Sequence, residues 1–141
     1  MLISVHFFSI APTYYISASK GKNSNNGTST NTLFQTADKL QSVKLSKGDR
    51  VLFCTDDTFP LNLTLNNSGT IDEPIVISSY GNGKKPIING QITVKDAGGY
   101  VFSGLEFTGG GDGIQLNTSK AISAPIQITK CDFRDLKQDS A

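Results

Sequence analysis

The chain contains 141 residues, which is enough for one domain with a buried core. Its formal net charge is +1, from 13 Lys and Arg against 12 Asp and Glu, and these charges are scattered along the sequence. Because no basic stripe could neutralise phosphates and no apolar run approaches about 18 residues, the sequence argues against nucleic-acid binding and against a membrane-spanning segment.

The N-terminal residues 1–11 (MLISVHFFSIA) are apolar and have about the length of a signal-peptide h-region, with small residues at their end. A basic n-region is missing. We interpret residues 1–13 as the remnant of a signal peptide, which predicts a secreted or cell-surface protein, while a first β-strand remains the alternative. His6, the only histidine, lies in this segment, so residues 14–141 offer none for metal binding or acid–base catalysis.

A short helix is predicted over residues 33–40, after a first strand at 14–17 and a polar loop at 21–32. Leu33, Phe34, Ala37 and Leu40 fall on one face of such a helix, with Asn31 or Thr32 as a possible N-cap.

The rest of the chain is rich in Asn, Ser, Thr and Gly, a composition typical of short strands joined by turns. Strict alternation of leucine with polar residues from Leu61 to Leu65 predicts a half-buried strand. Further strands are predicted at residues 50–54, 75–80, 86–89 and 91–94.

A sequence repeat with a spacing of 26 residues follows these strands. The apolar positions that recur are Phe102/Ile128, Leu105/Cys131 and Phe107/Phe133, and a carboxylate recurs at Glu106/Asp132. Such a period is typical of stacked structural units, and the short β-runs indicate one turn of a β-helix as the unit.

The parity of the repeat predicts a corner within each unit. Leu105 and Phe107 face one side of a strand and Glu106 the other, but Phe102 breaks this alternation. Two short strands that meet near residues 103–104, and again near 129–130, can bury all of the apolar positions.

The order of these elements resembles the start of exported right-handed parallel β-helix proteins of the pectate lyase-like superfamily, which have the pectin lyase fold. The resemblance covers about residues 14–133. The segments that carry it are YYISASKGKNSNNGTSTNTLFQTADKL, SKGDRVLF, SGTIDEPIVISSYGNGKKPIING and YVFSGLEFTGG.

The resemblance implies an all-β, right-handed, single-stranded parallel β-helix with a short N-terminal capping helix. Residues 14–141 would then be the cap and first rungs, truncated at the C-terminus, with a short complete domain as the alternative. It also implies a carbohydrate-active protein, a polysaccharide lyase or glycoside hydrolase acting on plant or algal polysaccharide. A non-catalytic surface or adhesive β-helix that binds glycans is the other possibility.

The resemblance transfers no catalytic motif, so we expect this chain alone to be inactive, with no cofactor of its own; calcium could serve in the full-length protein. From the residues themselves, Glu106 and Asp132 should stack on an outer face, where two close carboxylates could share a proton or bind calcium. A solvated face balanced by Lys130 and Arg134 is the alternative.

Three further residues are candidates for binding. Asp112 lies in the glycine-rich run 109–113, which could form a ligand loop or a simple turn. Tyr80 and Tyr100 could stack on sugar rings, although packing in the core or at its rim would use them equally well.

Overall fold

The protein was analysed as a computed structural model that describes residues 11–135. The predicted signal-peptide remnant at residues 1–13 therefore lies almost wholly outside the described residues, and Thr13 already begins the first strand. No helix in the described part of the chain is long and apolar enough to cross a membrane.

Within residues 11–135 the chain forms ten strands and one short 3₁₀ helix, Ala37–Gln41. The strands are β1 (Thr13–Ile16), β2 (Arg50–Cys54), β3 (Thr58–Leu65), β4 (Ile75–Tyr80), β5 (Ile87–Lys95), β6 (Tyr100–Ser103), β7 (Glu106–Thr108), β8 (Ile114–Asn117), β9 (Ile126–Thr129) and β10 (Asp132–Phe133).

All strand pairs are parallel, and the strands form two sheets along a solenoid. The first sheet has the order β1-β2-β4-β6-β9, and the second has the order β10-β7-β5-β3, with β8 paired to the second half of β5. Parallel crossovers of this kind are almost always right-handed. The predicted parallel β-helix is confirmed.

The predicted repeat register is also confirmed. Phe102 pairs with Ile128, and Phe107 pairs with Phe133, in adjacent rungs. At the corner between these strands, the Asp132 N–H donates a hydrogen bond of 2.9 Å to the Leu105 carbonyl.

The core lies between the two sheets and consists of inward side chains that stack in register. Val51, Ile77 and Phe102 form one column in the first sheet, and each is fully buried. Ile88 and Phe107 stack in the second sheet and are equally buried. Burying a side chain of this size contributes about 1.5–3 kcal/mol relative to exposure, so these columns provide the main driving force for stacking the rungs.

The corner predicted inside each repeat is present. Gly104 has φ +71° and Lys130 has φ +53°, so both adopt the left-handed conformation between one strand and the next. This conformation reverses the side-chain alternation locally, which is why Phe102 and Leu105 can both face the core.

The predicted helix over residues 33–40 is shorter and different in type, and neither Asn31 nor Thr32 caps it. Phe34 instead forms a β-bridge with Ile16. The N-cap of the 3₁₀ helix is Thr36, which makes no side-chain capping hydrogen bond. Ala37 and Leu40 are nevertheless buried against the core, so the helix still covers apolar surface at this end of the solenoid.

Candidate functional site

The carboxylates of Glu106 and Asp132 stack on the outer face of the second sheet. The two residues are register partners in β7 and β10, and the neighbouring Phe107 points into the core. Because successive side chains of a strand point to opposite faces, Glu106 and Asp132 point away from the core.

Each of these carboxylates has its own cation. Asp132 Oδ2 lies 3.0 Å from the Nζ of Lys85, and Glu106 Oε1 lies 3.3 Å from the Nε of Arg134. Arg134 was an expected partner, but Lys85 takes the place expected for Lys130, which occupies the corner. Partly exposed pairs of this kind typically contribute 0–1 kcal/mol.

No group of three or more His, Cys, Asp or Glu side chains that could hold a metal ion occurs among residues 11–135. The stacked carboxylates are thus two neighbouring ion pairs, and such a face can hydrogen-bond to a polar ligand through the remaining carboxylate oxygens.

A second polar surface, here called the polar strip, follows the ends of β3 and β5 and the strand β8. In β3 and β5 its side chains alternate with buried residues of the core. Register pairs align Asn62 with Gln91, Thr64 with Thr93, and Thr93 with Gln115. Amides and hydroxyls both donate and accept hydrogen bonds, so this strip matches the hydroxyl groups of a sugar.

Hydrogen bonds within β5 and between β5 and β8 order the polar strip. Gln91 Nε2 donates to Thr93 Oγ1 at 3.0 Å and to Gln115 Oε1 at 3.1 Å. At the edge of the strip, Gln115 Nε2 donates to Asp112 Oδ2 at 3.3 Å. Asp112 is therefore an exposed member of this network, carried by the glycine-rich loop 109–113.

The two candidate tyrosines lie in different environments. Tyr100 is fully buried, its hydroxyl donates to the Asn67 carbonyl, and its burial raises its pKa. It therefore offers no ring face to a sugar. Packing in the core, which the sequence left open as the alternative, is what the structure shows for Tyr100. Tyr80 is half-buried and packs edge-on against Tyr15, with ring centroids 5.3 Å apart.

A groove beside Tyr80 was not predicted from the sequence. It lies at the corner between β2 and β3 and contains Asp57, which is only 8% exposed. The Ser17 hydroxyl, on the N-terminal segment, donates to Asp57 Oδ2 at 2.7 Å, and the Ser19 N–H donates to the same oxygen at 3.4 Å. Burial raises the pKa of the Asp57 carboxyl, but these hydrogen bonds outweigh burial and leave it below its ordinary value.

The sequence carries one signal for this groove. Asp56 and Asp57 lie between β2 and β3, one residue after the end of β2, at the position where the corner of the rung must lie. Asp56 has φ +66°, which marks it as the corner residue of its rung.

Comparison with known proteins gave structural matches only. No protein-family profile matches the chain, and no curated protein matches its sequence. The GH136 lacto-N-biosidase from Eubacterium ramulus superposes with a TM-score of 0.75 at 19% identity, covering 88% of this chain and 27% of that chain. A second structure of that enzyme, the native protein, gives a TM-score of 0.72 at 20% identity.

A rhamnogalacturonan lyase also matches, with a TM-score of 0.55 at 22% identity, covering 70% of this chain and 29% of that chain. The chain has the pectin lyase-like parallel β-helix fold. This β-helix spans less than a third of the length of each of these solved chains.

Proposed function

We propose that the chain supplies the N-terminal cap and first rungs of an exported carbohydrate-active β-helix protein, a polysaccharide lyase or a glycoside hydrolase. The polar strip is the observation that carries this proposal, because its ordered amides and hydroxyls suit a glycan. The structural neighbours, a lacto-N-biosidase and a rhamnogalacturonan lyase, support it by analogy of fold.

A non-catalytic glycan-binding β-helix is the second candidate. It is favoured by the ion pairs of Glu106 and Asp132, since both carboxylates of the stacked pair are engaged by cations. In either case a polysaccharide is the proposed partner and the extracellular space the proposed location.

Binding is tested with the whole 141-residue chain by affinity electrophoresis in gels that contain neutral or uronate-rich plant polysaccharides. Gln115→Ala removes an amide from the polar strip, and Gln127→Ala is the matched control, since Gln127 is an exposed strand residue of the first sheet. Loss of one hydrogen bond should weaken binding by about three- to tenfold in the first variant and leave the control unchanged. Equal binding by both variants, or no retardation by any polysaccharide, would contradict a role for the strip.

Turnover is assayed on the same polysaccharides through unsaturated uronate products and new reducing ends. We expect none from this chain alone. Turnover that disappears in Glu106→Gln or Asp132→Asn would instead assign the stacked carboxylates a catalytic role. Export is tested by fractionating the source cells and their medium with an antibody against this chain, and recovery of the protein only inside the cells would contradict it.

A further inference from the structure

The groove at the corner between β2 and β3, here called the corner groove, has a volume of about 640 Å³. Three segments of the chain form it: the residues after β1, those after β2 and those after β4. Its lining comprises Ser19, Lys20, Cys54–Asp57 and Tyr80–Gly83. Its volume falls within the range of about 300–1,000 Å³ that is typical of small-molecule sites.

An insertion in one rung creates this groove. Ile75 pairs with Tyr100, and Ile87 pairs with Glu106, in adjacent rungs. Ile87 follows Ile75 by 12 residues, whereas Glu106 follows Tyr100 by only 6, so the first of these two rungs is the longer one. The additional residues form the loop 81–86, which rises at the corner where the next rung turns directly at Gly104.

The loop is fixed to the preceding rung by backbone hydrogen bonds. Gly83 N–H donates to Thr55 Oγ1 at 3.1 Å, Lys84 N–H donates to Asp56 Oδ1 at 2.9 Å, and Asp56 N–H donates to the Lys84 carbonyl at 2.9 Å. A wall held at three points requires little ordering when a ligand binds, and this lowers the entropic cost of binding.

Tyr80 contributes an apolar wall. Its hydroxyl oxygen is buried without a hydrogen-bond partner in the described part of the chain, whereas the residue as a whole is half-buried. Tyr80 lines the groove, and the edge-on contact with Tyr15 holds its ring in place. An immobilised aromatic ring in a groove is suited to packing against the C–H face of a sugar.

The groove also carries polar groups: Lys20 and Asn82 are exposed, and Asp57 is 8% exposed. Lys20 Nζ and the Asn82 amide make no hydrogen bond or ion pair with the other described residues, and only Oδ2 of Asp57 is engaged by protein donors. Together they offer an ammonium donor, an amide and a carboxylate acceptor, a set that can bind several hydroxyl groups at once.

We propose that the corner groove binds one neutral sugar unit of a glycan, packed against the Tyr80 ring and hydrogen-bonded to Lys20, Asn82 and Asp57. The lining contains two carboxylates, Asp56 and Asp57, and one ammonium, Lys20, and therefore disfavours a uronate. Lys84 stands on the loop 81–86 but is not part of the lining. The proposal rests on the carbohydrate function proposed above and extends it to a second site, at a corner of the solenoid and apart from the polar strip on the strands of the second sheet.

The test is an amide NMR titration of the ¹⁵N-labelled 141-residue chain with galactose and, separately, with galacturonic acid at equal ionic strength. These probes differ at a single carbon, where the acid carries the carboxylate. Galactose should shift the Gly81, Asn82 and Gly83 amides saturably, and galacturonic acid should bind at least about threefold more weakly, as expected for like charges at a partly exposed site.

A pair of substitutions isolates the ring. Tyr80→Leu removes it and should weaken galactose binding by about tenfold, whereas Tyr80→Phe keeps it, deletes only the buried hydroxyl and should bind within about twofold of wild type. If Tyr80→Leu does not fold, Asn82→Ala should still weaken binding by about threefold or more, with Asn66→Ala, an exposed residue outside the groove, as its unchanged control.

The outcomes separate this proposal from the proposed function. Sugar-induced shifts confined to Gln91, Thr93 and Gln115 would overturn the groove and support the polar strip. The absence of saturable shifts anywhere would refute sugar binding at the corner groove. Glycan binding by the polar strip would then be judged by the polysaccharide assay alone. Equal binding of galactose and galacturonic acid at Gly81–Gly83 would overturn the claim of a neutral ligand.

Discussion

The buried carboxylate of Asp57 attaches the residues after β1 to the corner between β2 and β3 through side-chain hydrogen bonding. Its Oδ2 receives the Ser17 hydroxyl at 2.7 Å, and the Ser17 side chain is fully buried. A hydrogen bond to a charged group contributes about 1.5–3 kcal/mol, and a buried donor left without a partner costs about 1–3 kcal/mol. We therefore expect Asp57→Ala to reduce the free energy of unfolding by about 3 kcal/mol, and Asp57→Asn, which keeps an acceptor, by about 1–2 kcal/mol.

The contribution of Asp57 should also depend on pH. The pKa of its carboxyl is lowered below the ordinary value of 3.8, because hydrogen bonds outweigh burial in the folded state. Near that pH the unfolded chain binds more protons than the folded chain, so the stabilisation is complete above the unfolded pKa and is lost as the pH falls through the folded pKa. The difference in unfolding free energy between wild type and Asp57→Asn should therefore be largest at about pH 6–7 and shrink below about pH 4.

Urea unfolding followed by circular dichroism at several pH values measures this difference. Asp56→Asn is the matched control, because Asp56 is exposed, asparagine tolerates its left-handed conformation, and the replacement still accepts the Lys84 N–H. Hydrogen exchange of the Ser17 amide, which donates to the Phe34 carbonyl at 2.9 Å, reports on local detachment. Equal destabilisation in Asp56→Asn and Asp57→Asn, or a difference that does not change with pH, would refute the reasoning.

Three further predictions concern stability and are measured by the same urea unfolding. Phe102→Ala should lower the free energy of unfolding by about 3–5 kcal/mol, because Phe102 is fully buried. Phe133→Ala should lower it by only about 1–2 kcal/mol, because Phe133 is 42% exposed. Similar losses in the two variants would contradict the stacked core. Gly99→Ala should lower the free energy of unfolding by at least about 2 kcal/mol more than Gly48→Ala does. Both glycines have positive φ, but only at Gly99 would a Cβ lie 2.4 Å from backbone of the preceding rung. Equal losses in the two variants would contradict that close approach. Lys85→Gln should cost no more than about 1 kcal/mol and lose its effect at about 1 M salt, and a larger, salt-insensitive loss would show that its ion pair is stronger than its exposure allows.

The sequence was sufficient to predict the stacking of the rungs because the period appears twice in the apolar positions. It did not predict β8, and the strands predicted at residues 86–89 and 91–94 are the single strand β5. Phe102 and Ile128 occupy the same inward position in successive rungs, and no competing local interaction changes that register. The corner was predictable for the same reason: two apolar residues of one repeat could both be buried only if the chain turned between them.

The helix prediction failed where side-chain hydrogen bonds compete with helix formation. Asn23 Oδ1 accepts the N–H groups of Gln35 and Thr36, both at 3.1 Å, and Phe34 is held in a β-bridge. These contacts keep the residues before Ala37 extended, so the apolar spacing from Leu33 to Leu40 is satisfied by a bridge followed by a single 3₁₀ turn. Local periodicity does not distinguish this arrangement from a helix.

The corner groove could not be predicted because a repeat specifies which residues stack but not where an insertion places its own side chains. Ser17, Asp57 and Tyr80 are separated by 40 and 23 residues, and they meet because β1, β2 and β4 are neighbours in one sheet and end at the same corner. Corners that turn at one residue, as at Gly104, leave no concavity. The sites of this solenoid should therefore be sought where one rung is longer than the next, since the added loop rises above the regular stack while its rung continues the core beneath it.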